Sequence, residues 1–423
     1  MRDYLRLLRE RPSYRNLWLA ALVSQLGDWF NVIATVILVD RFTDSGTAVG
    51  ALFLARSLPP FLLTPVVGVI ADRFNRKTIL IVSDLLRALI VLGFLFVTSA
   101  EQAWLIYVLT VAQFIVSAFF QPAKSAILPS LIETDEELVM ANTLSSTTWS
   151  AMLTLGAAIG GVMAAVFGVQ VALIVDALTF VLSAVLVLRI VLPEEAGDEG
   201  EKTAVSSESG WQAFLSGVHY IRQRPRVGLV ASIKGLGQLG APDIMIALYA
   251  AQIFPTGEDG ALALGLLFAF AGLGAILGPI IANLFTKGVT RALQQAVGIG
   301  FLVIAAGWLL FGIAPSLPVA LLAMTLRHLG GSQNWVYSTI LLQVEVPDRY
   351  LGRVFAFDFA IFTLAASLSV WLTGLAIDTT SLGPREVSLV LAGLSVLPSL
   401  LWVAVNWRVY VPNKAFSEKQ TSL

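Results

Sequence analysis

Long apolar runs separated by short polar stretches dominate this chain, and none of the runs alternates with a period of two. A helix needs about 20 mostly apolar residues to cross a bilayer. Twelve segments reach that length, at roughly 17–39, 47–70, 78–98, 103–127, 143–166, 169–191, 227–251, 261–285, 291–313, 316–341, 352–377 and 386–408. Continuous apolarity argues against barrel strands, which alternate between lipid-facing and lumen-facing residues. The pattern predicts an all-α integral membrane protein of twelve transmembrane helices. One polar stretch interrupts it: PEEAGDEGEKTAVSSESG, residues 193–210, reads as a flexible linker. The basic, amphipathic residues 211–226 predict a short helix on the inner membrane surface. The expected domains are a six-helix bundle over 1–192, a cytoplasmic linker and surface helix over 193–226, and a second six-helix bundle over 227–423.

Composition agrees with this reading. Of 423 residues, 57% are hydrophobic and 13% charged, with a mean hydropathy of +0.81. A soluble domain carries about 25% charged residues to cover its surface, so a soluble enzyme is excluded. A net charge of −1 leaves no basic footprint for nucleic acid. The chain has no cysteine and only two histidines, His219 and His328, which removes thiol chemistry and leaves too few imidazoles for a His-rich metal centre. No nucleotide-binding glycine pattern follows a strand, and no Ser/His/Asp set is evident, so neither an ATP-driven pump nor an enzyme is expected.

Basic residues set the orientation. With the N-terminus inside, most of the 27 Lys and Arg residues fall in cytoplasmic segments, and the outer loops keep only Arg41 and Arg385. Both termini are then cytoplasmic. The five arginines at the start precede an apolar run too long for a cleaved signal peptide. With no targeting peptide expected, a bacterial inner (plasma) membrane fits.

The two halves echo each other at an offset of about 210 residues: GVIADRFNRK at 68–77 aligns with GPIIANLFTK at 278–287, and QPAKSAIL at 121–128 loosely with QNWVYSTIL at 333–341. Duplicated six-helix halves are a transporter architecture with substrate near the midplane. The first of these segments also fits G-x-x-x-D-R-x-x-R-K, through Gly68, Asp72, Arg73, Arg76 and Lys77. The chain thereby resembles the major facilitator superfamily. Further residues resemble the branch containing the enterobactin exporter and the macrolide efflux pumps: Ser24–Asp28, Arg56–Pro59, Ser83–Arg87, Gln121–Ala123, Asp176–Phe180 and Pro347–Phe355. The resemblance implies two pseudo-symmetric bundles, alternating access and export. It also implies a cytoplasmic gate at Gly68, Asp72, Arg73, Arg76 and Lys77. Two departures stand out: Ala157 occupies the proline position of the antiporter element G-P-x-x-G-G, and the span-4 arginine of many proton antiporters is missing.

Ionisable residues within spans are costly, so they are usually paired or functional. The acids are Asp28, Asp84, Asp176, Asp243 and Asp358, and the bases Arg56, Arg87, Lys124, Lys234 and Arg327. Asp84 and Arg87, three apart, can neutralise each other. Lys124, near the end of its span, can reach the interface. Asp358 is expected to serve the cytoplasmic gate with Arg353. Asp28 lies near the middle of the first span with no base within one turn. A carboxyl held from water there can carry a coupling proton, with Arg56 or Arg87 as its counter-charge; a permanent ion pair is the alternative. Asp243 is the second proton candidate. For substrate binding, the candidates are Arg56, Arg87, Gln25, Gln113, Trp149, Gln238, Arg327, Gln333 and Asn334. The expected function is proton-driven export of a small amphipathic molecule (a drug, macrolide or siderophore) by a monomer among membrane lipids, without cofactor or metal. A lysophospholipid flippase and a non-transporting sensor remain alternatives.

Overall fold

The structure, a computed structural model, describes residues 2–43, 45–192, 218–238, 242–286 and 290–406. Linker residues 193–210 and the side chains of Gly68, Asp72 and Arg73 lie outside the described residues. Among the described residues the regular elements are all helical. Before the linker come α1 (Arg2–Glu10), α2 (Pro12–Thr43), α3 (Gly46–Arg73), α4 (Arg76–Gly93), α5 (Ala103–Ile127), α6 (Asp135–Ala151), α7 (Ala157–Phe167) and α8 (Val169–Leu188). After it come α9 (Pro225–Leu236), α10 (Pro242–Leu248), α11 (Ala261–Thr286), α12 (Thr290–Gly312), α13 (Leu317–Glu345), α14 (Asp348–Thr379) and α15 (Pro384–Val405). Ten helical stretches are long and apolar enough to cross a membrane. The other two expected spans differ in form. Segment 227–251 is shared between α9 and α10, while α13 breaks its apolar run with Arg327, His328, Gln333 and Asn334.

Two compact units divide these residues: Met1–Trp211 with Pro242–Ala269 and Val370–Thr380, and Gln212–Ala241 with Phe270–Ser369 and Ser381–Leu423. In the first, α2 packs on α7 and α8, α4 on α8, and α5 on α3 and α4; in the second, α12 packs on α13 and α15, and α9 on α13.

Small residues allow the closest approaches, as is usual where lipid supplies no drive for helix association. A Cβ on Gly161 would fall 2.6 Å from Cα of Gly265, and one on Gly265 would fall 2.5 Å from Cα of Gly161. Where the proline of the antiporter element is replaced by Ala157, a π-helical turn at Met152–Gly156 interrupts the helix instead. A Cβ on Gly156 would meet the Trp29 ring at 2.5 Å.

The ends of the first unit are tied by polar contacts. Thr134 and Glu137 form a capping box on α6: Glu137 donates its N–H to Thr134 Oγ1 at 3.2 Å, and Glu137 accepts from the N–H of Glu133 at 2.9 Å. Arg11 clamps this corner, donating to Glu137 at 3.0 Å and pairing with Glu133. The short helix α1, which the sequence pattern does not predict, seats Leu7 in the same core cluster as Tyr14, Leu17 and Leu131. Toward the end that the charge bias assigns to the outside, Arg41 donates to Asp259 at 2.6 Å and Glu258 at 3.3 Å. There Asp378 also accepts from the N–H groups of Gly46 and Thr47, both at 2.9 Å, and from Ser45 Oγ at 2.6 Å.

Residues 211–217 of the expected surface helix lie outside the described residues; in the second unit residues 218–222 are helical, and Tyr220 is buried and stacks on Tyr350 with ring centroids 4.3 Å apart.

Candidate functional site

On α2, helical spacing puts Gln25, Asp28 and Val32 on one face; on α5 it does the same for Ser117, Gln121 and Lys124. These faces, with Arg56 of α3 and Arg87 of α4, enclose a cavity of about 270 Å³ in the first unit, where Trp29, Phe114 and Phe120 add aromatic surface. Four sequence candidates therefore meet here: Gln25, Asp28, Arg56 and Arg87.

Each charge in the cavity is held differently. Arg87 pairs with Asp84, which also accepts from Ser183 Oγ at 2.6 Å. The Arg87 guanidinium lies over the rings of Phe180 and Phe120, at 4.2 and 4.6 Å from their centroids. The pairing within α4 predicted from spacing is present. Arg56 donates to Asn31 Oδ1 at 3.4 Å, lies 4.7 Å over Phe114, and feels the charges of Asp28, Asp176 and Asp243. Both proton candidates thus lie within electrostatic reach of one arginine. Asp28 is within electrostatic reach of Arg87 and Arg56 but, among the described residues, forms no ion pair or hydrogen bond with either. Gln25 Oε1 likewise has no hydrogen-bond partner. The neighbouring carboxylate, Asp176, is fully buried against Gly27, where a Cβ would come within 2.5 Å of Asp176 Oδ1.

Other candidates lie elsewhere. Gln113 is buried on α5, outside this lining, and its Oε1 has no hydrogen-bond partner among the described residues. Trp149 is 58% exposed and does not line this cavity, so the structure does not place it with the others. In the second unit, Arg327 donates to the carbonyl of Gly237 at 2.9 Å, next to Gln238 in the turn after α9. Gln333 donates to the carbonyl of Ala296 at 2.6 Å, while the buried Asn334 amide has no hydrogen-bond partner on either atom among the described residues and presses on Gly300. Asp358 pairs with Lys234 rather than with Arg353; Arg353 instead lies 5.9 Å over the Tyr350 ring. Lys234 and Asp358 are 124 residues apart in the chain, beyond what helical spacing can reveal.

Of the gate residues with described side chains, Arg76 and Lys77 bond to backbone. Arg76 donates to the carbonyl of Ala126 at 2.8 Å and Lys77 to that of Ile190 at 2.7 Å. Both acceptors lie at helix ends, where carbonyls lack intrahelical partners and attract cations. Sequence reasoning left Lys124 out of the site. Its spacing from Ser117 and Gln121 carried the signal, and it lines the cavity rather than reaching away from it.

Residues 8–421 match the profile of the family described as transmembrane secretion effector. The chain is 29% identical to the MFS-type transporter YfiS of Bacillus subtilis over 85% of its length and 87% of that protein's. It is 23% identical to a Bacillus amyloliquefaciens protein described as a bacilysin exporter, BacE, over 97% of both chains. Macrolide efflux protein A of Streptococcus pyogenes is 22% identical over 86% of this chain and 89% of that one. Among solved structures, the nucleoside transporter NupG superposes with a TM-score of 0.71 at 11% identity, covering 93% of this chain and 98% of that one. A bacterial homologue of the lysosomal transporter Spinster superposes at 0.69 and 15% identity, covering 95% and 97%. These two likenesses concern the fold.

Proposed function

We propose that this chain, which belongs to the transmembrane secretion effector family of the major facilitator superfamily, exports an amphipathic small molecule in exchange for protons. The family and fold make it a multi-pass membrane transporter, and relatives described as a bacilysin exporter and a macrolide efflux protein support outward transport. The observation that carries proton coupling is the setting of Asp28: a carboxylate facing a cavity, near Arg56 and Arg87 yet bonded to neither. Such a group can exchange a proton without first breaking an ion pair. Asp243, also acting on Arg56, is the second proton site in this reading.

In the proposed cycle the two sequence halves, 1–192 and 227–423, alternate access in the plasma membrane, with both termini in the cytoplasm and the proton gradient as energy source. Substrate enters among Gln25, Arg56 and Arg87, whose field changes when Asp28 is neutralised. Asp72, Arg73, Arg353 and Asp358 act at the cytoplasmic gate, where Arg76 and Lys77 fasten the loop to α5 and to the end of α8.

The test uses everted membrane vesicles with an acidic interior and a dye reporting the gradient. Macrolides, lipophilic cations, catecholate siderophores and lysophospholipids are added in turn to vesicles carrying wild type or Asp28→Asn. Substrate-dependent collapse in wild type alone is expected. Full gradient-driven efflux by Asp28→Asn, or no collapse with any compound, overturns the reading.

A further inference from the structure

We propose that Lys124 is an anion receptor, taking the carboxylate or phosphate group of an amphipathic substrate at the junction of two cavities in the first unit. The first cavity is the one described above. The second, of about 290 Å³, is lined by Tyr14, Trp18, Gln121, Lys124, Asn142 and Ser145, among others. Ala21, Gln121 and Lys124 line both. On α2 the second cavity uses Tyr14 to Ala21 and the first uses Ala21 to Val32; along α5 and the turn that follows it the order is Gln121 to Leu128, then Phe114 to Lys124. The two cavities therefore follow one another along the same pair of helices. The eighteen steps along α2 from Tyr14 to Val32, at about 1.5 Å each, give a path of about 27 Å. Lys124 stands where it passes from one cavity to the next.

The charges along that path are unequal. Arg87 is paired with Asp84, and Arg56 bonds Asn31 in the field of three carboxylates. Lys124, half-buried in the last turn of α5, makes no ion pair or hydrogen bond among the described residues and lines both cavities without a counter-charge. Cations within spans are normally paired or functional. A lysine ammonium offers three donors as a compact point charge, which suits a carboxylate or phosphate oxygen. The lining beyond it supplies the rest of an amphipathic ligand's needs: Trp29, Phe114 and Phe120 for an apolar body in one cavity, and hydroxyls and amides in the other.

This inference names the substrate class of the exporter proposed above and rests on that reading. Its test is binding to the purified full chain in detergent, using N-acetylphenylalanine, its uncharged amide, and lysophosphatidate. Wild type should bind each anion at least about tenfold more tightly than the amide, the effect of one charge-assisted hydrogen bond. Lys124→Ala should lose that preference and Lys124→Arg should keep most of it, both with wild-type monodispersity and melting. Tighter binding of lysophosphatidate points to a lipid headgroup, and tighter binding of N-acetylphenylalanine to a soluble carboxylate; either keeps the anion at Lys124. Equal binding of anion and amide, preference surviving in Lys124→Ala, or no binding of any anion overturns the assignment. Proton-driven efflux by the same chain in vesicles separates the two proposals. Efflux without anion preference removes only the anion site, and anion preference without efflux removes only the export reading.

Discussion

The carboxylate of Asp378, at the end of α14, accepts the backbone N–H of Gly46 at 2.9 Å although 332 residues separate them. Together with its bonds to Thr47 and Ser45, it caps the first turn of α3. The helix thus borrows its cap from the far end of the chain. Loss of an N-cap costs about 0.5–2 kcal/mol. Asp378→Ala should therefore loosen this end of the first unit. The chain lacks cysteine, so Val49→Cys, at a position 1% exposed, gives a single buried reporter. Its maleimide labelling should rise about 2- to 30-fold in the Asp378→Ala background. An unchanged rate would show that the cap does not hold this end shut.

The contact of Gly161 with Gly265 leaves no room for a side chain. Gly161→Val should lower the melting temperature, with an overpacking cost of about 1–3 kcal/mol. Gly393 is the control: a Cβ there meets nothing within 4 Å. Gly393→Ala, in the interior of α15, should melt no lower than wild type, since alanine favours helix over glycine.

Removing one partner of a buried ion pair leaves the other uncompensated, at about 3–5 kcal/mol. Lys234→Met alone should be strongly destabilising, since Asp358 is buried and its Oδ1 already lacks a partner. The double change Lys234→Met with Asp358→Leu should recover most of that loss. Thermal melting of wild type, Lys234→Met, Asp358→Leu and the double variant in detergent measures the coupling.

Arg11 holds Glu133 below the usual carboxylate range, chiefly through its side-chain hydrogen bond. A lowered folded-state value contributes stability above the unfolded carboxylate's pKa, about 4.3, and that contribution disappears as pH falls through the folded value. Wild type should therefore lose more melting temperature than Arg11→Gln on going from pH 7 to pH 4 and below. Equal slopes would mean that the clamp carries no pH-dependent stability.

Helix type, ten of the twelve expected spans and the Asp84–Arg87 pair were legible because each depends on residues close in sequence. Apolar run length reports a span directly, and three-residue spacing puts the acid and base on one face. The convergence of Gln25, Asp28, Arg56 and Arg87 was legible only in part: each stood out as a polar group in an apolar run, but their shared cavity depends on how four helices turn toward one another. The partner of Asp358 was hidden for the opposite reason. Arg353 is near in sequence, whereas the lysine that reaches Asp358 lies on another helix. Trp149 shows the limit of composition, since an aromatic residue in an apolar span carries no mark of the direction it faces. Helix α1 escaped notice because its single seated residue, Leu7, sits in a run dominated by arginine.

The π turn at Met152–Gly156 gives its helix one residue more than regular winding requires. Everything beyond it, including Gly160 and Gly161, keeps its angular position because the turn absorbs that surplus. Deleting one residue of this turn would let the segment wind as ordinary α-helix and leave Gly160 and Gly161 on the face they now occupy. A deletion in the regular winding just after it would instead swing the following face by about 100° and turn Gly161 away from Gly265. The chain can therefore shorten by one residue inside the turn and nowhere beside it, so a deletion should be tolerated at Met152–Gly156 and not at Ala157–Gly160.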